Sequence, residues 1–474
     1  MRFISLLILL TICHLGFAEP VKKVLNALIA TAPHQLNIGI KIQNITTGDV
    51  IYQKNSARYF IPASTLKTLT ATAALLYLGK HYRYQTQLLV EKKTIQHATL
   101  SSDVYIKFNG DPTLTVNDLQ TMLQQLSHRG VKHIIGNLYI DNSRFNPIVY
   151  GPGWIWDDLQ NCFSAPLDAA IINHNCFKVT LIAGNHNGAK TNLDNKKFLR
   201  FVSMRNHTIT QQKTSDINEH PCLLQVTIDK TNHYDLTGCI TSKKKITLTF
   251  AIPHSKPYIS AVLRYLLKKN HLTITGKILF AKTKPHLIVL TTHHSQPLAV
   301  VVHNMLKKSD NLVANALFKT LGTRYYQQPG TWKNGAMALK NILWQQAHSQ
   351  LADAVIVDGA GLSRYNLITP EQLSHLLYFA FYNGDIGTTF ITSLPVSGID
   401  GTLQHQVAMN LPTIIAHIHA KTGSMRGVLA LAGYVYTEKH HVLSVVIIMN
   451  NINGKLYRYY FLEMDILKYL IKNL

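Results

Sequence analysis

The chain has 474 residues, a hydrophobic content of 46% and a charged content of only 15%. This composition excludes an intrinsically disordered protein, and the length predicts two or three domains because a single core rarely grows that large. The formal net charge is +23, with basic residues spread along the chain. That charge is compatible with peripheral association with an anionic membrane or an acidic wall polymer, or with a solvated lysine-rich surface.

The N-terminus has the pattern of a secretory signal. Arg2 precedes an apolar run over residues 3–15, and the small-residue stretch that follows ends at Ala18. We expect residues 1–18 to be a signal peptide, cleaved after Ala18, because the apolar run is too short to span a membrane. The mature protein is then expected to be soluble and periplasmic, or to face the cell wall. Export argues against nucleic acid as a partner.

The start of the mature chain predicts a helix over residues 21–32, followed by a β-hairpin. Its strands are residues 36–42 and 50–52, joined by the turn Thr46-Thr47-Gly48-Asp49. A second helix is predicted from Ser64 to about Leu78. Its central part lacks Gly and Pro and is apolar on every side, which predicts that this helix is buried.

The buried helix carries a candidate nucleophile and its base. Ser64 and Lys67 are three residues apart, so a helix places them on one face, one turn apart. A serine hydroxyl needs a base to become a nucleophile, and burial makes a lysine easier to deprotonate. Taken alone, Ser-x-x-Lys is more simply explained as a capping serine followed by an exposed lysine.

Between about Tyr84 and Leu290 the pattern changes to short alternating runs separated by turns. Strands are predicted at residues 84–90, 104–108, 133–140, 223–228 and 245–250, and helices at 116–127 and 256–269. This region therefore predicts a mostly β insertion that forms one or two extra subdomains.

The last third returns to mixed α/β structure. Helices are predicted at residues 298–305, 311–321, 332–346 and 370–381, strands at 415–420, 428–436 and 442–449, and a closing amphipathic helix at 456–472. This order is consistent with an antiparallel sheet on which the first and last helices of the mature chain pack.

Four cysteines remain after the signal is removed, and an oxidising compartment suggests two disulfides. Three connectivities are possible for Cys162, Cys176, Cys222 and Cys239. We favour pairing of neighbours, with the second pair across a hairpin that turns near residues 229–232. Zinc ligation is the competing interpretation, but no Cys-x-x-Cys or His-Glu-x-x-His pattern occurs, so we expect no metal site.

Two further short motifs follow late in the chain. Ser309-Asp310-Asn311 offers a hydroxyl and an amide, although these residue types are also ordinary helix caps. Lys421-Thr422-Gly423-Ser424 offers an ammonium and hydroxyls that can hold a carboxylate, with a glycine that lets a substrate approach the backbone. The plainer interpretation is that Lys421 ends a strand and Gly423 forms a turn.

The three motifs in this order resemble those of the penicillin-binding proteins and serine β-lactamases. Between Lys67 and Ser309 lie 241 residues, and this long insertion is similar to that of the class C low-molecular-mass penicillin-binding proteins, the D-alanyl-D-alanine carboxypeptidase/endopeptidase family. Four further segments, residues 110–114, 152–158, 358–364 and 398–403, also resemble segments of that family. Within the third of them, Ala360 stands where serine is usual in the family.

The resemblance implies an α/β (α+β) fold with a β-lactamase/transpeptidase-like domain, in which helices flank an antiparallel sheet. Residues 19–84 and 291–474 would form this discontinuous catalytic domain. Residues 85–290 would form the inserted region.

The resemblance also implies a serine-type D-Ala-D-Ala carboxypeptidase that acts on peptidoglycan stem peptides, needs no cofactor and is inhibited by β-lactam antibiotics. Its balance with DD-endopeptidase activity stays open. Ser64 would form the acyl-enzyme, with Lys67 as its base. Ser309 would relay a proton to the leaving amine, and Asn311 would hold the substrate and orient Lys67. The substrate carboxylate would be bound by the charge of Lys421 and by the hydroxyls of Thr422 and Ser424. Gly423 lies between these two residues and belongs to the same substrate-binding segment.

Two more residues are implied for the pocket that takes the stem-peptide side chain. Asp157 of the Trp-x-Trp-Asp segment would suit the free amino end of a diaminopimelic acid residue, and Arg364 would line the same pocket. The alternatives are a loop cap for Asp157 and a structural ion pair for Arg364.

Two competing functions are weaker. A serine β-lactamase would not need so long an insertion, and no loop with a water-activating Glu is recognisable. A non-catalytic wall-binding protein with a decayed site would not be expected to keep all three motifs intact.

Overall fold

The computed structural model describes residues 20–91, 95–194, 198, 200–211, 222–241, 245–404 and 406–474. The predicted signal peptide lies outside the described residues. Within the described ranges, no helix has both the length and the hydrophobicity needed to cross a membrane.

Helices account for much of the first and last parts of the chain. They are α1 (20–30), α2 (Lys67–Leu78), α3 (Val116–His128), α4 (Ser255–Lys269), α5 (Leu298–Lys308), α6 (Asn311–Tyr326), α7 (Trp332–Ala347), α8 (Pro370–Tyr382), α9 (Gly387–Ser393) and α10 (Tyr457–Asn473).

Strands dominate the middle of the chain and return near its end. The first group comprises β1 (Asn37–Asn44), β2 (Val50–Lys54), β3 (Gln85–Val90), β4 (Ile95–Gln96), β5 (Thr99–Leu100), β6 (Val104–Lys107), β7 (His133–Ile134), β8 (Leu138–Asp141), β9 (Cys176–Ile182) and β10 (Asn192–Asp194). The second comprises β11 (Ser203–Asn206), β12 (Ile209–Gln211), β13 (Leu224–Ile228), β14 (His233–Thr241), β15 (Lys245–Ala251), β16 (Thr273–Ile274), β17 (Ile278–Phe280), β18 (Ile288–His294), β19 (Ile418–Met425), β20 (Val428–Tyr436) and β21 (Val442–Asn450).

A five-stranded antiparallel sheet joins the two ends of the chain in the order β19-β20-β21-β1-β2. Its strands alternate between two cores, as the period of two requires. On β20, Ala432 and Tyr434 face the helical core, whereas Leu431 and Val435 face α1 and α10. The predicted sheet with the first and last helices packed on it is therefore confirmed.

The helical core lies on the other face of this sheet and surrounds α2. Residues from Lys67 to Leu75 of α2 are all buried, and α5, α6, α7 and α8 supply about half of the other buried apolar side chains of this core. The prediction of a buried helix is confirmed. Its burial is what removes Lys67 from water.

The middle of the chain has a separate hydrophobic core, whose buried members lie between Leu88 and Leu272. Helices α3 and α4 pack there against four small sheets, with strand orders β17-β8-β6-β3-β18, β16-β7-β5-β4, β10-β9-β15 and β11-β14-β12, to which β13 is added beside β14. A segment of the same region packs instead against the helical core, through Phe145, Leu167 and Ile171. This segment brings the inserted region close to α2 and α6.

Two disulfides cross-link the inserted region. Cys162 is bonded to Cys176 and Cys222 to Cys239, each pair with a Cα–Cα distance of 5.4 Å. The second disulfide joins a residue shortly before β13 to a residue of β14, its antiparallel partner. The pairing is the one between sequence neighbours.

Most predicted elements lie within one to three residues of the observed ones, but two predicted strands are wrong and one helix was not predicted. The strand predicted at 415–420 begins at Ile418 and continues to Met425, because its pairing with β20 extends through the polar residues. The strand predicted at 133–140 is two strands in different sheets, separated at Gly136, whose φ is 157°. The short helix α9 has no counterpart among the predicted helices.

Candidate active site

Ser64 lies in a tight turn that leads directly into α2. The 3-10 turn Ala63–Leu66 is followed without a break by Lys67, and the Thr65 hydroxyl donates to the carbonyl of Pro62 at 2.7 Å. Ala63 has a φ of 47°, a left-handed conformation that costs roughly 1–2 kcal/mol for a residue with a Cβ. The turn presents the Ser64 side chain to an open cleft while its neighbours stay buried.

Lys67 is fully buried, and its amine has three close neighbours. The Nζ atom lies 2.7 Å from Ser64 Oγ, 2.6 Å from Asn311 Oδ1 and 2.8 Å from the carbonyl oxygen of Ala360. Burial lowers the pKa of Lys67 to about 7, against the opposing effect of the Asp358 and Asp310 carboxylates. A neutral amine at this position donates to the two carbonyl oxygens and keeps its lone pair for the Ser64 hydroxyl, which is the arrangement of a base.

The second motif joins two helices beside Lys67. Ser309 ends α5 in a left-handed conformation, with φ 57° and ψ 40°. Asp310 caps α6 by accepting from the backbone N–H of Val313 at 3.0 Å, so the cap interpretation holds for this residue. Asn311 uses both ends of its amide, because Oδ1 accepts from Lys67 and Nδ2 donates to the carbonyl of Phe163 at 2.9 Å.

Asp310 also contacts a histidine of the inserted region. The Nε2 atom of His174 lies 3.3 Å from Asp310 Oδ2. The hydrogen bond to Asp310 raises the pKa of His174. Burial alone would raise the pKa of Asp310, but the partnership with His174 holds it below its ordinary value. The insertion therefore places an imidazole with an increased proton affinity behind the second motif.

The third motif lies inside β19, so the expectation that Lys421 ends a strand is wrong. Lys421 is fully buried, and its Nζ donates to the Thr422 carbonyl at 2.6 Å. Burial, and then the proximity of Lys67, holds the pKa of Lys421 well below its ordinary value. The Thr422 hydroxyl is 2.7 Å from the hydroxyl of Thr402.

Gly423 allows β19 to pass very close to Ser64. A Cβ at this position would lie 2.9 Å from the Pro62 carbonyl oxygen and 3.0 Å from the Ser64 backbone nitrogen. In the order of this sheet β19 is a terminal strand, so alternate N–H groups point away from β20. Backbone donors of β19 and of Ser64 can thus converge on one oxyanion.

Asp358 organises the loop that supplies the Ala360 carbonyl. Its carboxylate is buried and accepts from the backbone N–H groups of Ala360, Gly361 and Ser363 at 3.2, 2.8 and 2.7 Å. It also accepts from the indole N–H of Trp154 at 2.9 Å. The Asp-Gly-Ala-Gly-Leu-Ser segment therefore positions Lys67 through its backbone.

The motifs meet at one cleft of about 590 Å³. Its lining comprises Ser64, Ile155, Asp157, Asp158, Phe163, Ser309, Asn311, Gly361, Leu362, Thr402, Gln406, Thr422, Gly423, Ser424, Met425, Arg426 and Tyr460. Lys67 and Lys421 lie buried beneath this surface. The volume is that of an ordinary small-ligand site.

The structure treats Asp157 and Arg364 differently. Asp157 lines the cleft, whereas Arg364 is not among the described residues that do so. The Arg364 guanidinium donates to the carbonyl of Arg426, which does line the cleft. Burial and Asp157 raise the pKa of Asp158, and Arg364 opposes this shift, so the three charged groups are electrostatically linked.

Sequence reasoning missed several groups that act on the motifs. His174, the carbonyls of Ala360 and Phe163, and Tyr460, which lines the cleft with Ser424, all reach the site from distant parts of the chain. The segment that contains Ala360 stands out in the sequence by resemblance alone. A backbone carbonyl has no signature in the sequence, so its role could not be read there.

Comparison with known proteins gives one family. The family model described as "D-Ala-D-Ala carboxypeptidase 3 (S13) family" matches residues 21–466. The D-alanyl-D-alanine carboxypeptidase DacB of Haemophilus influenzae is 32% identical over 422 residues, which cover 88% of this chain and 86% of that protein. A D-alanyl-D-alanine carboxypeptidase of an Actinomadura species is 26% identical over 84% of this chain and 74% of its own length.

A solved structure resembles most of the chain. The crystal structure of penicillin binding protein 4 (dacB) from Haemophilus influenzae superposes with a TM-score of 0.86 at 31% identity, and covers 94% of this chain and 99% of its own. The same protein complexed with a novel β-lactam gives a TM-score of 0.82 at 29% identity, with the same coverage.

Proposed function

This chain belongs to the D-Ala-D-Ala carboxypeptidase 3 (S13) family, and we propose that it removes the terminal D-alanine from peptidoglycan stem peptides through an acyl-enzyme on Ser64. One observation carries the proposal. The Ser64 hydroxyl lies 2.7 Å from a buried lysine amine whose pKa is lowered to about 7. A nucleophile and a base are thus in contact at neutral pH.

Acylation follows from this contact. The lone pair of neutral Lys67 takes the Ser64 proton as Oγ attacks the carbonyl carbon between the two D-alanines. The carbonyl oxygen becomes an oxyanion, which the backbone N–H groups of Ser64 and Ser424 stabilise. Loss of one such donor typically costs on the order of 100-fold or more in rate. The close approach of Gly423 to the Ser64 nitrogen supports this placement.

Collapse of the tetrahedral intermediate releases D-alanine. Its amine needs a proton, which Ser309 relays from the lysine side of the cleft. Asn311 keeps Lys67 aligned through its Oδ1 atom and fixes the cleft wall through the Phe163 carbonyl. Water then attacks the acyl-enzyme, with Lys67 as the base, and returns Ser64 to its free form.

The substrate carboxylate binds at β19. Thr422 and Ser424 line the cleft, and their hydroxyls donate to the substrate carboxylate. Lys421 lies buried beneath them. Burial disfavours the charged form of Lys421 in the empty site. A bound carboxylate reverses this effect because an opposite charge favours the ammonium.

Asp157 is proposed to bind the amino group of the stem-peptide side chain. Its position on the cleft lining supports this role. Arg364 is proposed to act at the same end, by fixing the Arg426 backbone and balancing the charges of Asp157 and Asp158.

The chain is proposed to work in the periplasm or facing the wall, after cleavage of residues 1–18. Its two disulfides suit an oxidising compartment. We also propose that residues 19–84 and 291–474 form the catalytic domain and 85–290 the inserted region. The separate hydrophobic core of residues 88–272 supports this division.

The deciding experiment is the intact mass of the purified mature protein after incubation with benzylpenicillin, beside Ser64→Ala. A stable adduct on the wild type, mapped to Ser64 and absent from the variant, supports the acyl-enzyme. Fast loss of the drug without an adduct would make the protein a β-lactamase. Absence of both would leave a wall-binding protein. Release of D-alanine from a soluble pentapeptide and cleavage of a cross-linked dimer then separate carboxypeptidase from endopeptidase activity.

A further inference from the structure

A second cleft, which we call the basic cleft, lies at the far end of α6 from the active site. It has a volume of about 660 Å³ and lies between the end of α6 and the inserted region. Its lining includes Lys107, Arg144, Lys282, Lys284, Thr323 and Gln327. Asn311 begins α6, and Thr323 and Gln327 lie 12 and 16 residues later. A helical rise of 1.5 Å per residue separates them from Asn311 by roughly 18 to 24 Å.

A smaller hollow continues the basic cleft and adds more positive charge. The two hollows share Asn109 and Arg144, and the smaller one is also lined by Arg83 and Arg324. Arg324 is engaged with Tyr82, lying 5.5 Å over its ring. Arg83 donates to the carbonyl of Ser295 at 2.7 Å.

The carboxylates around the basic cleft are already engaged. Asp141 is 2% exposed and accepts from the backbone and hydroxyl of Thr283 and from the backbone of Ser143. Glu91 accepts from Lys284 at 2.7 Å. Within the described ranges, no carboxylate forms an ion pair with Arg144, Arg324, Lys107 or Lys282.

Arg144 lies at the centre of this excess of positive charge. It is half-buried, and burial and then the like charge of Arg324 lower its pKa. Two guanidinium groups that repel each other beside a cleft destabilise the folded chain, and partly buried charges are ordinarily paired. A planar guanidinium binds carboxylates with two parallel hydrogen bonds. The cleft is therefore built for an anion.

We infer that the basic cleft binds carboxylates of a peptidoglycan strand at a point remote from the bond that is cut. This inference rests on the proposed function, since it concerns how the same polymer is held. A stem peptide whose terminal amide lies at Ser64 has four residues left, which extend to roughly 14 Å at most. They cannot reach the basic cleft, so its occupant is a neighbouring stem peptide of the polymer.

The test measures sedimentation of the protein with purified peptidoglycan sacculi at low salt. The test variant is Arg144→Gln with Arg324→Gln, and the matched control is Lys22→Gln with Lys333→Gln, which removes the same charge from exposed positions elsewhere. We expect the test variant to bind sacculi about tenfold or more weakly, because each lost charge-assisted hydrogen bond is worth roughly that factor. The control should bind like the wild type.

Further measurements separate carboxylate binding from a loss of folding. Amidation of the carboxyl groups of the sacculi should weaken binding of the wild type. The remaining binding should be no stronger than that of the test variant to intact sacculi. A second variant, Lys107→Gln with Lys282→Gln, changes side chains whose removal does not disturb the core, and should also weaken binding. The melting temperature of Arg144→Gln should not fall, since the substitution removes a repulsion.

Retention of the test variant at the wild-type level, or equal binding to amidated sacculi, would overturn the inference. The same proteins are also sedimented with vesicles of anionic phospholipid. If the test variant lost binding to these vesicles but not to sacculi, the ligand would be a lipid phosphate and the inference would be overturned. Hydrolysis of a soluble pentapeptide and acylation by benzylpenicillin are measured on every variant. They should be unchanged, and their absence from the wild type would refute the proposed function without affecting the binding result.

Discussion

Replacing Asp310 by asparagine should move the pH dependence of Ser64 acylation to lower pH. The carboxylate of Asp310 raises the pKa of Lys67, which burial lowers to about 7. Asparagine removes that charge but is an equally good helix cap, so α6 keeps its N-terminal hydrogen bond. The substitution therefore changes the electrostatics beside Lys67 more than the structure.

The magnitude follows from the linkage between charge and proton affinity. Lys67 works as a base only when it is neutral, so the wild-type rate should be half-maximal near pH 7 and about tenfold below its plateau at pH 6. A neighbouring opposite charge shifts a pKa by roughly one to three units. Asp310 acts on Lys67 less strongly than Asp358 does, so we expect a shift at the low end of this range, about one unit. The variant should be half-maximal near pH 6.

The assay is the second-order rate constant for acylation by benzylpenicillin between pH 5 and pH 9, followed by intact mass in quenched samples. Asp385→Asn, which removes an exposed carboxylate elsewhere, is the matched control and should follow the wild type. A wild-type profile that is half-maximal above pH 9 would show that Lys67 is charged at neutral pH, and would refute its role as the base. A shift of the Asp310 variant to higher pH would refute the electrostatic reasoning.

Three other changes test separate parts of the structure. Gly423→Ala should slow acylation about 100-fold or more, because its Cβ would lie 3.0 Å from the Ser64 nitrogen; a rate within tenfold of the wild type would contradict the close approach of β19. Asp157→Asn should raise KM for a diaminopimelate-containing pentapeptide about tenfold while benzylpenicillin acylation stays within about twofold, and an equal loss for both would point to a general disturbance of the cleft. Lys319→Met should lower the free energy of unfolding by about 1–3 kcal/mol near pH 10.5, because it leaves Asn146 Oδ1 unpaired and removes one of the two donors to Ile148 O, the other being the Trp332 indole N–H. Burial lowers the pKa of Lys319 to about 7, so the unfolded chain binds more protons than the folded chain between pH 7 and 10.5. The free energy of unfolding of the wild type should therefore rise with pH in that window. Urea titrations of Lys319→Met should show a smaller rise.

The local pattern of the sequence determined the elements and their chemistry. The apolar run after Ser64 required a buried helix, and that burial alone predicts a lysine with a lowered pKa. Helices α3, α4 and α10 and the first hairpin follow from periodicity within one segment. The order of the three motifs, through resemblance, indicated one site before any of its distances were known.

Only the tertiary structure decided how the site is held. The partners of Lys67 come from residues 244 and 293 positions away, and one of them is a backbone carbonyl. The strand through Lys421 extends beyond its apolar part because β20 pairs with it. The uncompensated charges at Arg144 and Arg324 are invisible in the sequence, where 47 basic residues are scattered evenly. Local patterns report which face of an element is apolar, whereas contacts between distant segments depend on how whole elements pack.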